Sequence, residues 1–356
     1  MRFSWIPTVV LWSSFFRTTV ALPSPRPSTA QNGLLLRKEW RSLSGAEKTA
    51  YISAVKCLLE KPPVTSKIDL PGVQNRFEDF LGDHIRQADA MHFVGYFYPW
   101  HRLLLRAYEL ELAACGYAGG QPYWDWSLDA NSSDDFFNSP IFDPITGFGG
   151  NGDYINGTKE NPLPGVTSTL GDIPVDVEDR SGGGCLSNGP FANLSIHMGP
   201  GFNTSYNEWC IRRDFVPSVF MAAGHSTAVD AAMSHTTFGA FSQQSEATNH
   251  GAGHIGVGGL YGVLTDVWAS PGDPLFFLHH ANMDRLWWSW QHKNLTARLT
   301  DISGPVVPHD YSNLEGRNVT LDDVVYVGTT VNVTASIRQL MDIRGPALGY
   351  TYADLY

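Results

Sequence analysis

The amino-acid sequence predicts a mainly α fold with long loops and a few small β-strands. Three observations carry that reading. The run Asp273–Gln291, DPLFFLHHANMDRLWWSWQ, continues without a helix breaker after its proline. A second proline, Pro99, opens WHRLLLRAYELELAAC, and residues 131–217 are rich in Gly, Pro, Asn and Ser with only short apolar runs. Proline is favoured at a first helical position, and Asp273 just before Pro274 adds start chemistry. The third stretch has the composition of long ordered loops with small strands.

In chain order, residues 1–21 combine a short basic beginning, an apolar stretch (IPTVVLWSSFF) and small residues at Val20 and Ala21. That is the pattern of a secretory signal peptide, and the apolar run is too short and too broken to span a bilayer. Residues 22–33 read as a Pro/Ser linker. Arg37–Leu59 repeats apolar residues at helical spacing, with Ser44 as a capping candidate and Pro62-Pro63 as the stop. Asn75–Asp83 reads as a helix that delivers His84 at or just beyond its end. His92 follows among Phe93, Gly95, Phe97 and Tyr98, where the glycine lets rings and backbone pack closely. On the Pro99 helix, His101, Leu104 or Leu105, Tyr108 and Leu112 form a core stripe, Glu111 faces solvent, and Glu109 pairs with Arg102 or Arg106. Near the end, VVYVGTTVNV within Val306–Ile337 alternates as strands do.

The histidines carry the chemistry. His250 and His254, spaced i and i+4, stack on one helical face at the separation a single ion needs. His84, His92 and His101 are eight and nine residues apart. His279 and His280 are adjacent on the last long helix, about 100° apart around its axis, so only one faces the core with Phe276, Asp284 and Trp287. Five histidines and one of this pair make two sets of three. Three imidazoles leave a position open on each metal, as a reactive site requires. His197, His225 and His235 lack partners at ligand spacing and read as structural.

At this point YPWHRLLLRAYELEL, NHGAGHIGVGG and DPLFFLHHANMDRLWWSWQ resemble, in order and spacing, the tyrosinase, catechol oxidase and mollusc-type haemocyanin family with its paired type 3 copper site. The resemblance runs from about Leu34 to Tyr352 and is strongest to short fungal secreted polyphenol oxidases. It implies a central four-helix bundle holding a dinuclear site within one domain, residues 34–356. His84, His92 and His101 would bind one copper and His250, His254 and His280 the other, the choice of His280 resting on the family pattern. Asp284, one turn on, is the expected acceptor for a ligand ring, and Phe276 is expected to pack between the metal centres. Gln121–Trp126 matches a PYWDW signature expected beside the first copper, and Tyr350-Thr351-Tyr352 resembles the tyrosine motif that closes the family's core. Some relatives join a cysteine to the second histidine; Ala90 stands at that position here, which forbids the crosslink. Relatives often carry a shielding C-terminal domain; the chain stops at Tyr356, so a pocket needing no proteolytic opening is expected.

Composition bounds the partners. The chain has 356 residues, 43% of them apolar, with 11 Trp, 19 Phe and a net charge of -11. Acidity without a basic run excludes nucleic acid, and the aromatics suit a dry, packed site. Seven Asn-x-Ser/Thr sequons, at Asn131, Asn156, Asn193, Asn203, Asn294, Asn318 and Asn332, fit export. Four cysteines allow three pairings, and export favours disulfides. Cys185 and Cys210 close a local loop, which leaves Cys57 with Cys115. Oligomeric state is not legible.

The resemblance implies a copper-dependent oxidase that turns o-diphenols or o-aminophenols into o-quinones with O2, a small phenolic substrate and no membrane after signal cleavage. Monophenol hydroxylation needs a base for the phenol proton. Tyrosinases of the family place an Asn after the first histidine of the second copper, where it helps a glutamate hold a water. That position is Gly251 here, although Glu246 lies one turn before His250, so monophenolase activity is expected to be weak or absent. The alternatives are a true tyrosinase, a zinc-loaded non-oxidative tailoring enzyme of aromatic secondary metabolism, and a haemocyanin-like oxygen binder.

Overall fold

The computed structural model describes residues 33–159, 161, 168–171, 173–328 and 332–356; the predicted signal peptide and all of the linker but Gly33 lie outside them. Helices dominate. The first, α1 (Gly45–Glu60), starts later than its periodicity predicts, because Ser44 and Glu47 close a reciprocal capping box there. The preceding Leu35–Arg37 is instead strand β1. Helix α2 (Arg76–Met91) starts where Asn75 caps it, but runs on through His84 to His92. Gly82 is no breaker: a Cβ there would come within 2.4 Å of Leu70, so the position is used for close packing. Helix α3 (Phe97–Ala114) carries His101 in its first turns.

A turn of helix, α4 (Ser133–Phe137), interrupts the predicted loop region, which also holds the two-residue strands β2 (Ser195–Ile196) and β3 (Trp209–Cys210). Helices α5 (Pro217–Gly224), α6 (Ser226–Met233) and α7 (Phe238–Ala247) lead into α8 (Asn249–Gly258). Helix α9 (Leu275–His292) begins at Pro274 as predicted. Strands β4 (Val324–Val327) and β5 (Val333–Ser336) form an antiparallel hairpin, and β6 (Tyr350–Tyr352) pairs in parallel with β1. No helix among the described residues is long and apolar enough to cross a membrane.

Helix α3 packs on α2 and α9, and α8 packs on α9, so these four helices lie together at the centre. One apolar core runs from Leu35 to Tyr352, with Trp100, Trp124, Trp126, Trp287 and Trp290 sealed in it. The disulfide Cys57–Cys115 ties α1 to the end of α3, and Cys185–Cys210 closes its loop, both as predicted.

Under the metal region lies a buried ionic network, and it uses Asp284 differently from the expectation. One oxygen of Asp284 accepts from Arg102 Nε at 2.5 Å. The other accepts from Arg37 at 3.2 Å and from the hydroxyls of Tyr350 and Tyr352 at 2.5 and 2.6 Å. Arg37 also grips Glu109, which pairs with Arg106, not Arg102. The strand pair β1–β6 thus delivers Arg37 and two tyrosines onto α9. Removing one member of a buried pair strands the other charge, at a cost of about 3–5 kcal/mol. Asp284→Ala, which strands two guanidiniums, is therefore expected to lower unfolding free energy by about that amount in denaturant titrations of the disulfide-intact protein.

Candidate metal centre

The four central helices carry every histidine of the site. His84 lies in the middle of α2, His92 caps its C-terminus, and His101 is on α3. His250 and His254 share one face of α8, and His279 and His280 sit on α9. Ring nitrogens of His84, His92 and His101 lie within 4.8 Å of one another, and those of His250, His254, His279 and His280 do the same. The two clusters adjoin. His101 stacks on His280 with centroids 4.3 Å apart, and His92 on His250 at 5.9 Å. His197, His225 and His235 stand outside both clusters, and His197 instead bonds the buried carboxylate of Glu78 at 2.7 Å.

Backbone carbonyls orient the rings, as expected for a site of this kind. Nδ1 of His84 lies 2.7 Å from the Trp268 carbonyl, that of His92 2.9 Å from Ala88, that of His101 2.8 Å from Phe97, and that of His254 2.5 Å from Leu264. A carbonyl only accepts, so each Nδ1 holds the ring proton and each Nε2 presents a lone pair. Nε2 of His84 and of His101 is buried without a hydrogen-bond partner. Such an atom is costly unless something fills its bond, and a cation between the three rings does so. Burial above all, with mutual repulsion between most of the rings, holds all seven histidines below the ordinary imidazole range, His254 down to about 4. Neutral rings are what a metal ion binds. The residues fit two imidazole-held ions.

The adjacent pair on α9 behaves in a way its helical angle did not show. Both rings reach the second cluster, because α8 crosses α9 at Gly253, where a Cβ would sit 2.2 Å from His279 Nδ1. Their hydrogen bonds separate them. His279 Nδ1 accepts the indole N–H of Trp126 at 3.0 Å. An indole only donates, so neutral His279 carries its proton on Nε2, which has no hydrogen-bond partner of its own. His280 Nε2 lies 3.0 Å from His254 Nε2 and 3.4 Å from His250 Nε2. Its Nδ1 has no hydrogen-bond partner, so Asp284 does not serve as the acceptor for this ring; both carboxylate oxygens are committed to Arg37, Arg102 and the two tyrosines.

Trp126 also corrects the place of its segment. Gln121–Trp126 was expected beside the first cluster, yet Trp126 bonds His279 and the Trp124 N–H meets the Leu278 carbonyl of α9 at 3.2 Å. The segment runs along α9 and walls the second cluster. The Phe276 ring is 4.1 Å from His280, 5.3 Å from His84, 5.9 Å from His254 and 6.3 Å from His101, so it touches rings of both clusters. Phe97 has a similar role that sequence reasoning missed, at 4.7 Å from His101 and 4.9 Å from His250. The signal was its place one helical turn before His101.

Glu246 is buried on α7, and its Oε1 accepts the Phe93 N–H at 2.6 Å. Burial pushes this carboxyl well above the usual range, against the opposing pull of that N–H. Gly251 opens onto space, since an added Cβ would meet only Ile255 Cδ1 at 3.9 Å. The neighbouring amide of Asn249 is no substitute for a side chain there: it donates to the Ala223 carbonyl at 3.0 Å.

Comparison with known proteins agrees with this geometry. The common central domain of tyrosinase matches residues 74–293. A tyrosinase-like protein, phomQ1', of Diaporthe leptostromiformis is 34% identical over 352 residues, covering 94% of this chain and 83% of that protein. The N-acetyl-6-hydroxytryptophan oxidase ivoB of Emericella nidulans is 33% identical, covering 94% and 96%. A polyphenol oxidase variant from Thermothelomyces thermophila superposes with a TM-score of 0.75 at 30% identity, covering 92% of this chain and 91% of that one.

Proposed function

Because this chain belongs to the tyrosinase family, we propose that it is a secreted, copper-dependent polyphenol oxidase of the catechol oxidase type. It converts o-diphenols or o-aminophenols to o-quinones and hydroxylates monophenols weakly or not at all. His84, His92 and His101 hold one copper, and His250, His254 and His280 the other. When bound, the two coppers supply the two-electron exchange between catechol and O2. The signal peptide of residues 1–21, the linker of residues 22–33 and the sequons belong to the same reading. A relative named as an oxidase of a hydroxylated tryptophan derivative supports phenolic-ring oxidation as the reaction class.

The chain's own residues divide the work. His84, His101 and His280 are sealed, whereas His250 and His254 are partly exposed, so substrate approaches over the start of α8. Phe276 and Phe97 hold the rings and exclude water. Glu246 takes a catechol proton, and one of its oxygens is fixed by the Phe93 N–H. The observation that carries the substrate preference is Gly251. Without an amide side chain beside His250, a water next to Glu246 lacks its second anchor, so an unactivated phenol keeps its proton. Oxygen uptake by the copper-loaded protein tests this, with rapid catechol turnover and slow tyrosine turnover after a lag as the expected result. Prompt tyrosine hydroxylation would overturn it, and failure to turn over catechol would favour an oxygen carrier. Gly251→Asn has room for its side chain and is expected to raise the monophenol-to-diphenol rate ratio about tenfold, ~1.4 kcal/mol in barrier.

A further inference from the structure

Phe93 and His309 both hold left-handed backbone, with φ of +57° and +63°. A bulky L residue rarely adopts it and keeps it only where its surroundings over-determine the conformation. For Phe93, those surroundings are His309 and Glu246. The Phe93 carbonyl accepts the His309 N–H at 3.1 Å, and its ring stacks on the imidazole with centroids 4.2 Å apart and planes 23° from parallel. The Phe93 N–H points to Glu246 Oε1 at 2.6 Å. No other hydrogen bond to that carboxylate occurs among the described residues.

His309 is itself held firmly although it is exposed. Its carbonyl accepts the Tyr311 N–H at 2.9 Å, and the Gly95 N–H bonds Pro305 at 2.9 Å. The next residue, Asp310, accepts the N–H groups of Leu314, Glu315 and Gly316 at 2.8 to 3.0 Å. A rigid surface loop therefore presses an aromatic ring onto the residue that follows His92.

The geometry points to Phe93 and His309 as positioning residues for Glu246. The stacked imidazole and its N–H lock Phe93 in the conformation that presents its amide to the carboxylate, and this fixes the direction of the oxygen that takes the substrate proton. The inference rests on the reading of Glu246 as the proton acceptor. Neither ring is assigned contact with substrate, so the effect is on turnover more than on binding.

The test compares copper-loaded variants with 4-methylcatechol as substrate. His309→Ala is expected to keep two coppers, lower kcat about tenfold and change KM less than about threefold. His309→Asn gives the same loss and keeps the loop, since asparagine tolerates left-handed backbone. Adding Phe93→Gly to His309→Ala is expected to restore kcat to within about threefold of wild type, because glycine takes that φ with no clamp. A ring with a merely structural role would give no such rescue. Unchanged kcat in both His309 variants, beside a damaged Glu246→Gln, overturns the clamp and leaves the base intact. Loss without rescue also overturns it, because the imidazole then acts otherwise. Full activity in Glu246→Gln overturns the reading of Glu246 itself.

Discussion

His280→Ala is expected to leave about one copper per chain and to lower catechol oxidation at least about a thousandfold, ~4 kcal/mol or more in barrier. His279→Ala, one residue away, is expected to keep both coppers and most of the activity, at the cost of stability from a buried cavity and an unpaired Trp126 indole. The difference comes from tautomers. The Trp126 N–H occupies Nδ1 of His279 and forces the proton onto Nε2, whereas His280 Nε2 faces the Nε2 atoms of His250 and His254. Copper content and oxygen uptake on the two variants decide the matter. Equal copper loss in both would place His279 among the ligands.

The second large effect is on the acid stability of the copper-free protein. Burial first, and for most rings their mutual repulsion, holds these histidines below their unfolded value near 6.5, with His254 at about 4. Below pH 6.5 the unfolded chain takes up protons that the folded protein refuses. Stability is therefore lost as pH falls through the window from 6.5 towards 4, by up to about 1.4 kcal/mol per pH unit per histidine. Buried carboxyls held above their ordinary range, Glu39, Glu78, Asp129, Glu246 and Asp266, act in the opposite direction. A non-titrating variant isolates the histidine contribution. Between pH 7.5 and 4.5, His254→Gln is expected to gain about 2–3 kcal/mol relative to wild type, both copper-free, in denaturant titrations. A constant difference across that range would show that this ring is not held neutral by the fold.

Much of the fold and site was legible because local signals agreed with the tertiary solution. Pro274 starts α9, Ser44 caps α1, and the i, i+4 pair His250 and His254 shares a face of α8. Loop length alone paired Cys185 with Cys210. What was not legible depends on contacts between distant segments. Arg37 stands at the start of the predicted helix, yet Leu35–Arg37 is a strand paired with Tyr350–Tyr352, which brings Arg37 onto Asp284 of α9. Asp284 has the spacing of a ligand's acceptor, but two arginines and two tyrosines reach it first. Helical angle set His279 apart from the core face, and only the close crossing at Gly253 brings its ring to the cluster. The Phe93–His309 stack joins residues with no periodic relation, so no pattern announces it.

Two ions are expected side by side, one in each histidine cluster. Anomalous diffraction at the copper edge, from crystals of the protein with metal content determined on the same sample, tests it most directly. Two copper peaks are expected, one bounded by His84, His92 and His101 and the other by His250, His254 and His280, at two copper atoms per chain. Zinc at those positions, a single shared ion, or copper located away from the six rings would contradict it.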